Sequence, residues 1–376
     1  MEIGLTGKPS CGKSTFFKAS TMIDVPISAV PFTTIKAKVG MAYVISECPC
    51  KELNLKCSPK NSQCVNGTRL IPVKLWDTGG LIPGSHAGRG IGNKFLSDVI
   101  RADVLIHIVD ASGRTDSEGN PTEGHDPSDD VKFLEEEINL WFTEVIERNL
   151  KKIKDEKTAA NVLAGLGIKE KHIGEAIDKV GLEPEKLAIE LRRLSKPILI
   201  AANKVDISVS EDNLKKLRQE FPNLTIIPCS AEAEIALRTA SKAGFIDYIP
   251  GNKDFEIKKE LNEEQKKGLE LIRKKVLEKN GSTGIQECLN KAVFEFLNYI
   301  AVYPVENEHK FSDKKGNVLP DVYLMPTGST ALDLAYKVHT DIGEKFIAAI
   351  DARTKKRVSA DYELKNGDII SIQSAK

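Results

Sequence analysis

The chain has 376 residues, with 54 Lys plus Arg against 54 Asp plus Glu and a formal net charge of zero. That balance excludes nucleic-acid binding through a globally basic surface and leaves only a local patch for it. The length predicts about two or three domains, the apolar content is ample for a core, and no apolar run is long enough to span a bilayer.

The opening MEIGLTG predicts a strand running directly into a glycine turn. A cleavable signal would place a basic start and a longer apolar stretch there, so the expected compartment is the cytoplasm. Up to about residue 130, strand-like and helix-like segments alternate. EIGLTG precedes a helix opening at GKSTFFKAS, LIPVKLWD reads as a strand, and ADVLIHIVDA reads as a strand buried on both faces. KPILIAANKVD and TIIPCSA repeat that type. The pattern predicts an α/β fold, a mostly parallel sheet with helices on both faces.

From 131 to 195 the pattern changes to an all-helical insertion between two strands. Leu134, Ile138, Trp141, Phe142, Val145 and Ile146 recur at helical spacing, and their expected role is core packing. TAANVLAGLG and HIGEAIDKVG read as shorter helices that end at glycine. Two more amphipathic helices follow, at NEEQKKGLELIRKKVLEKNG and GIQECLNKAVFEFLNYI. The expected organisation is therefore a domain over 1–302, carrying the insertion at 131–195, and a small separate β-plus-α unit over 303–376. No internal repeat and no low-complexity linker is visible.

GKPSCGKS fits G-x-x-x-x-G-K-S, with Gly7, Lys8, Pro9, Ser10, Cys11, Gly12, Lys13 and Ser14, and Thr15 opens the helix behind it. It follows a strand and precedes a helix, the context a phosphate-binding loop needs. The glycines let backbone N–H groups close around phosphate oxygens. Lys13 places a positive charge at the β and γ phosphates, and the Ser14 hydroxyl is a hard ligand suited to Mg²⁺. The helix N-terminus adds partial positive charge. The loop alone does not separate a hydrolase from a kinase.

Later segments favour a guanine-nucleotide hydrolase. WDTGG puts Asp77 at a strand end, where a carboxylate can hold Mg²⁺ through water, and Gly80 can offer its N–H to a γ-phosphate. ANKVD supplies Asn203, Lys204 and Asp206. A carboxylate accepting from two nitrogen donors suits the N1 and N2 edge of guanine and repels adenine. CSA brings Ser230 and Ala231 to the end of the next strand, where a backbone N–H could meet guanine O6. In PFTTIK, Thr33 and Thr34 compete as a Mg²⁺ ligand ordered by the γ-phosphate. Leu81 occupies the position after Asp-x-x-Gly where other hydrolysing switches carry a water-orienting amide. His86 lies nearby as a candidate water-positioning group, with an ordinary loop histidine as the alternative.

Cys48, Cys50, Cys57 and Cys64 form the pattern C-x-C-x6-C-x6-C. Four thiolates suit tetrahedral Zn²⁺, although the spacing lacks the paired C-x-x-C knuckles of a zinc ribbon; a loop of free cysteines is the alternative. Arg353, Lys355, Lys356 and Arg357 in DARTKKRVS could make a few phosphate contacts, or simply be a solvated basic turn.

The set GKPSCGKST, PFTT, DTGGLIPGSHAGRGIGNKF, NKVD and CSA resembles the Obg group of GTPases, and looks closest to its YchF-related archaeal branch. The match covers nearly the whole chain. GRGIGNKFL and GFIDYIPG are specific to that group. The C-terminal unit is similar to a TGS domain, a ubiquitin-like β-grasp module. The resemblance implies GTP/GDP and Mg²⁺ as ligands, a helical insertion in the G domain, and a partner in the ribosome or structured RNA. That partner would be reached through the TGS domain and the insertion, with no membrane contact and no DNA sequence readout. It makes Thr34 the better Mg²⁺ threonine, and assigns the catalytic contribution to Lys13, Thr34 and Gly80. The YchF proteins proper have lost the guanine-reading motif and prefer ATP; here Asn203, Lys204 and Asp206 are intact, so GTP is expected. Many relatives carry Asn at the fourth loop position, where it can hold a K⁺ ion; here that residue is Ser10, which leaves potassium activation open. An apolar residue at 81 is normal in this group, so Leu81 does not argue against a hydrolase; with no amide at 81 and Ser10 in the potassium position, the expected intrinsic hydrolysis is slow and depends on a partner. A nucleotide-occupancy module with negligible turnover and a P-loop kinase are the other readings.

Overall fold

The computed structural model describes residues 1–22, 38–80, 84, 99–149, 158, 163 and 168–375. Thr33, Thr34, Leu81 and His86 lie outside the described residues, as does most of TAANVLAGLG. The described residues form two compact units, one of 1–42 with 74–292 and one of 43–73 with 293–376.

Seven strands, β1 (Glu2–Thr6), β2 (Lys38–Glu47), β3 (Gln63–Val65), β4 (Thr68–Asp77), β5 (Val104–Asp110), β6 (Ile198–Asn203) and β7 (Ile226–Pro228), form one sheet, with helix α1 (Lys13–Thr21) following β1; β3 and the adjoining parts of β2 and β4, within 43–73, belong to the second unit. The sheet order is β2-β4-β1-β5-β6-β7, with β3 beside β4. β1 pairs in parallel with both β4 and β5, and the parallel run continues through β6 to β7. All seven residues of β5 are buried, as a near-continuous apolar run in a central parallel strand should be. The strand ends are level: Leu5 pairs with Asp77, Thr6 with His107 and Asp110 with Asn203. The segments leaving β1, β4, β6 and β7 therefore emerge at one carboxyl edge, where α/β sheets bind ligands.

Between β5 and β6 the chain forms three described helices, Pro127–Asn149, Glu170–Val180 and Pro184–Ser195. Their apolar faces close over β5. Leu105 and Val109 share one buried cluster with Ile138, Phe142, Leu187 and Leu191. Phe142 is fully buried and Trp141 packs edge-on against it at 5.1 Å, so both aromatics serve the core as the periodicity predicts.

After the two-stranded sheet of β8 (Ile246–Asp247) and β9 (Glu256–Ile257) in the first unit, β10 (Tyr299–Val305), β11 (Tyr323–Pro326), β12 (Phe346–Asp351), β13 (Lys356–Val358) and β14 (Ile369–Ser374) form a sheet of the second unit in the order β11-β10-β14-β12-β13. β10 and β14 run parallel and the other pairs antiparallel. Helix Ala331–Val338, opened by a Thr330–Asp333 capping box, lays Leu334 on a core of Ile300, Val302, Met325, Ala349 and Ile370. This is the expected β-grasp arrangement. In NYI, read from sequence as the end of a helix, Tyr299 and Ile300 instead start β10; a short apolar run supports either state until its neighbours are known.

Candidate nucleotide site

β1 delivers the chain into the loop 7–12 and α1 takes it away. Gly7 has φ +151° and Gly12 φ +96°. A Cβ on Gly7 would sit 2.5 Å from the Ile108 carbonyl oxygen, and one on Gly12 would collide with Asn203 Nδ2. Both positions thus require glycine for space as well as for backbone conformation. Pro9 is packed between Gly80 and Gly119; a Cβ on Gly119 would come within 2.6 Å of the Pro9 ring.

At the start of α1, the Ser14 hydroxyl donates to Asp77 Oδ2 at 3.0 Å, and Lys13 Nζ lies 3.7 Å from Asp77 Oδ1. Asp77 is fully buried and its Oδ1 has no hydrogen-bond donor. Thr78 anchors the next turn by donating to the Leu5 carbonyl at 2.6 Å. A hydroxyl and an under-satisfied carboxylate, both hard oxygen donors beside a phosphate-type loop, fit a Mg²⁺ ion. Ser14 would ligate it, Asp77 would hold its hydration shell, and the ion would neutralise phosphate charge.

The guanine-motif residues divide their work. Asn203 Nδ2 donates to the Cys11 carbonyl at 3.1 Å, while its Oδ1 accepts from the Ala231 N–H at 3.1 Å. Lys204 Nζ donates to the Ser10 carbonyl at 2.9 Å and to Asp110 Oδ2 at 2.8 Å. Both therefore hold the phosphate loop from beneath. Asp206 is half-buried and is oriented by the Ser230 hydroxyl at 2.8 Å. The Ser230 N–H is taken by the Thr283 carbonyl at 2.9 Å, so an O6 acceptor at this turn would share the Ala231 N–H with Asn203. Beside Asp206 opens a cleft of about 420 Å³, lined in part by Ser230, Ala233, Ile272 and Lys275. That is a usual size for a small-ligand site.

Sequence reasoning missed the layer under the loop. Lys8 does not serve the loop surface. Its Nζ pairs with Asp130 at 2.8 Å and donates to the Thr115 carbonyl at 2.6 Å, with both charged side chains essentially fully buried. His125 Nε2 reaches the other Asp130 oxygen at 2.8 Å. Burial raises the Asp130 carboxyl above its ordinary value despite Lys8 and His125 beside it. Burial also opposes ionisation of Asp110, but Lys204 and the hydroxyls of Ser112 and Thr115 outweigh it and hold that carboxyl low. Asp110 ends a strand of known direction and could have been singled out; Asp130 lies on a helix whose approach to Lys8 is purely tertiary. Cys11 is fully buried and its thiol is pushed up to about 11 mainly by burial, which makes it a packing group and not a nucleophile.

In the second unit, the four clustered cysteines converge, with all their Sγ atoms within 4.8 Å of one another. The basic turn is partly committed to its own unit. Arg353 bonds Glu52 and the Gly367 carbonyl, and Lys355 stacks over Phe311 at 4.3 Å. Lys356 and Arg357 are exposed. No helix among the described residues is long and apolar enough to cross a membrane.

Three family profiles match in succession. Residues 2–149 match the 50S ribosome-binding GTPase family, 201–307 the G4 motif-containing domain of the YGR210-like Obg-like GTPases, and 311–374 the TGS domain. A GTP-binding protein of Methanocaldococcus jannaschii is 52% identical, with 99% of each chain covered. One of Schizosaccharomyces pombe is 36% identical over 88% of each. The ribosome-binding ATPase YchF of Bacillus subtilis is more distant, at 29% identity over 65% of this chain and 70% of that one. The crystal structure of a GTP-binding protein from Pyrococcus horikoshii superposes with a TM-score of 0.78 at 42% identity, covering the whole of both chains. The chain belongs to the Obg-like, YchF-related family of P-loop GTP-binding proteins, with a G domain followed by a TGS domain.

Proposed function

We propose that this protein is a GTP-hydrolysing switch of slow intrinsic turnover, with its output on the ribosome or on structured RNA. The observation that carries the proposal is the meeting of four chain segments at one sheet edge: the loop 7–14, Asp77, the 203–206 turn and the 230–231 turn. In this reading Gly7 to Thr15 cradle the phosphates and Lys13 offsets charge as the γ-phosphoryl group departs. Ser14, Thr34 and Asp77 hold Mg²⁺, and Gly80 reports the γ-phosphate through its N–H. Asp206 selects guanine over adenine by accepting from N1–H and N2–H. Hydrolysis is slow because Leu81 carries no group that could orient water, so a partner is needed to complete the site.

The ribosomal output is supported by the ribosome binding for which the relative YchF is named, and by the TGS module. Exposed Lys356 and Arg357 are the residues of the basic turn best placed for phosphate contacts. Co-sedimentation with ribosomes under GTP, GDP and a non-hydrolysable analogue tests this output. Nucleotide-dependent pelleting is expected, and equal pelleting under all three would remove the switch. Leu81 also sustains a second reading, a module that signals nucleotide occupancy with negligible turnover. Single-turnover hydrolysis that stays undetectable with ribosomes and K⁺ present would favour it.

A further inference from the structure

The unit formed by 43–73 and 293–376 carries a cluster that nucleotide chemistry does not use. Cys48 precedes the short helical turn Pro49–Glu52, Cys50 lies within it, Cys57 follows on irregular chain and Cys64 sits in β3. Asn54 at φ +51° and the Asn66–Gly67 pair at φ +49° and +76° reverse the chain so that these separate segments face one point. The sulfurs of Cys50 and Cys64 are 3.8 Å apart. A disulfide needs about 2.05 Å. Zinc bound tetrahedrally at about 2.3 Å per thiolate sets its sulfurs about 3.8 Å from one another.

We propose that Cys48, Cys50, Cys57 and Cys64 bind a structural zinc ion that fixes the 43–73 hairpin to the C-terminal β-grasp residues. The set is closed: four thiolates fill a tetrahedron and leave no position for water or substrate, which is the form of a structural site. On binding, each thiol gives its proton to solvent, and four thiolates with one divalent ion leave a net charge of −2.

The purpose lies in what the hairpin touches. The stretch between Cys57 and Cys64 donates Ser58 N–H to the Val318 carbonyl at 2.8 Å and Lys60 N–H to the Pro320 carbonyl at 2.6 Å. Asn61 exchanges two hydrogen bonds with the Val322 backbone, at 2.9 and 3.0 Å. Lys60 pairs with Asp313. Beyond Cys64, the fully buried Arg69 donates to the Leu319 carbonyl at 2.6 Å and stacks over Tyr303 at 5.2 Å. Residues 51–67 supply almost no apolar burial of their own, with Cys48, Pro49 and Cys50 the buried positions of the loop. Metal ligation replaces the missing core and presents residues 58–61 in the shape that the 318–322 strand approach requires.

The test uses the full-length chain, purified under reducing conditions with any affinity tag removed. Metal content by mass spectrometry should give one zinc per chain, retained through gel filtration and released as a mercurial reagent titrates the thiols. Cobalt exchanged for zinc should give the intense visible bands of a tetrahedral tetrathiolate. Cys57→Ser and Cys64→Ser should lose the metal and expose residues 48–67 to protease, while the affinity for a fluorescent GTP analogue stays unchanged. Substoichiometric metal with four reduced thiols that take up neither zinc nor cobalt would overturn the proposal. So would stoichiometric iron, or cysteine pairs found as disulfides. The metal content of the unaltered chain decides the matter even if the serine variants do not fold.

Discussion

Replacing Lys8 by Met removes a cation that sits under the phosphate loop and never reaches its surface. In the intact chain Lys8 and Asp130 are each 1% exposed and 2.8 Å apart. Without Lys8, a buried carboxylate keeps only His125 as a partner, and the Thr115 carbonyl loses its donor. Breaking a buried pair from one side costs about 3–5 kcal/mol, because the abandoned charge stays desolvated. Lys8→Met should therefore lower unfolding free energy by about that amount. Removing both partners should be much milder, and Lys8→Met with Asp130→Leu should return to within about 1–2 kcal/mol of the parent, since an apolar pair leaves no stranded charge. Urea unfolding followed by tryptophan fluorescence reads the relevant unit, because Trp76 and Trp141, the two tryptophans of the chain, both lie in it. A single variant costing less than about 1 kcal/mol, or a double variant no better than the single one, would refute a buried charge pair as the support of this loop.

Asp206→Ala removes an acceptor whose charge-assisted bonds to nucleobase N–H groups are worth about 1.5–3 kcal/mol each, so GTP affinity should fall about 100-fold or more and preference over ATP should vanish. Competition binding with both nucleotides measures this, and retained GTP selectivity would move base recognition elsewhere. His107 is fully buried and its imidazole is depressed to about 4, chiefly by burial. A depressed value means that the unfolded chain binds the proton first, so this contribution is complete above the ordinary histidine value near 6.5 and is lost as pH falls through about 4, up to about 3 kcal/mol. Urea midpoints across pH 4–7 should show a shallower loss in His107→Gln than in the parent, and identical slopes would count against the assignment. Leu81→Gln should not produce a fast enzyme, since a lone amide lacks the supporting groups that aim it; a large gain in single-turnover rate would show that water positioning is all that the site lacks.

The chemistry of the nucleotide site was legible because it depends on residue types at fixed spacing beside strands of strong apolar pattern. Gly7, Lys13, Ser14, Asp77 and Asp206 could be proposed for that chemistry without knowing what packs behind them. Lys8 could not: the motif places it among the residues of the phosphate-binding loop, and its partner lies more than a hundred residues away on a helix. The hairpin was hidden for a similar reason. LIPVKLWD reads as one continuous strand, yet its first residues, like the rest of 43–73, make their compact contacts with 293–376. A strand pattern carries no sign of which unit its far end will join. The basic turn shows the same limit, since its sequence left a phosphate-contacting surface and a solvated turn both open. The fold engages Arg353 with Glu52 and the Gly367 carbonyl and Lys355 with Phe311, and leaves Lys356 and Arg357 exposed.

Asn203 and Lys204 alter how the guanine motif should be understood in this chain. Neither spends its polar atoms on the cleft beside Asp206. Asn203 joins the Cys11 carbonyl to the Ala231 N–H, and Lys204 joins the Ser10 carbonyl to Asp110. In the proposed reading, the turn that presents Asp206 to the base is thereby the turn that braces the phosphate loop. A shift of Asp206 on meeting a base would be transmitted through two adjacent residues to the carbonyls of Ser10 and Cys11, and so to the N–H groups that face phosphate. Adenine, which repels the carboxylate, would then bind poorly and also leave the loop less well braced. The effect on ATP turnover should exceed the effect on ATP affinity, because positioning errors at the reacting phosphate act on the transition state.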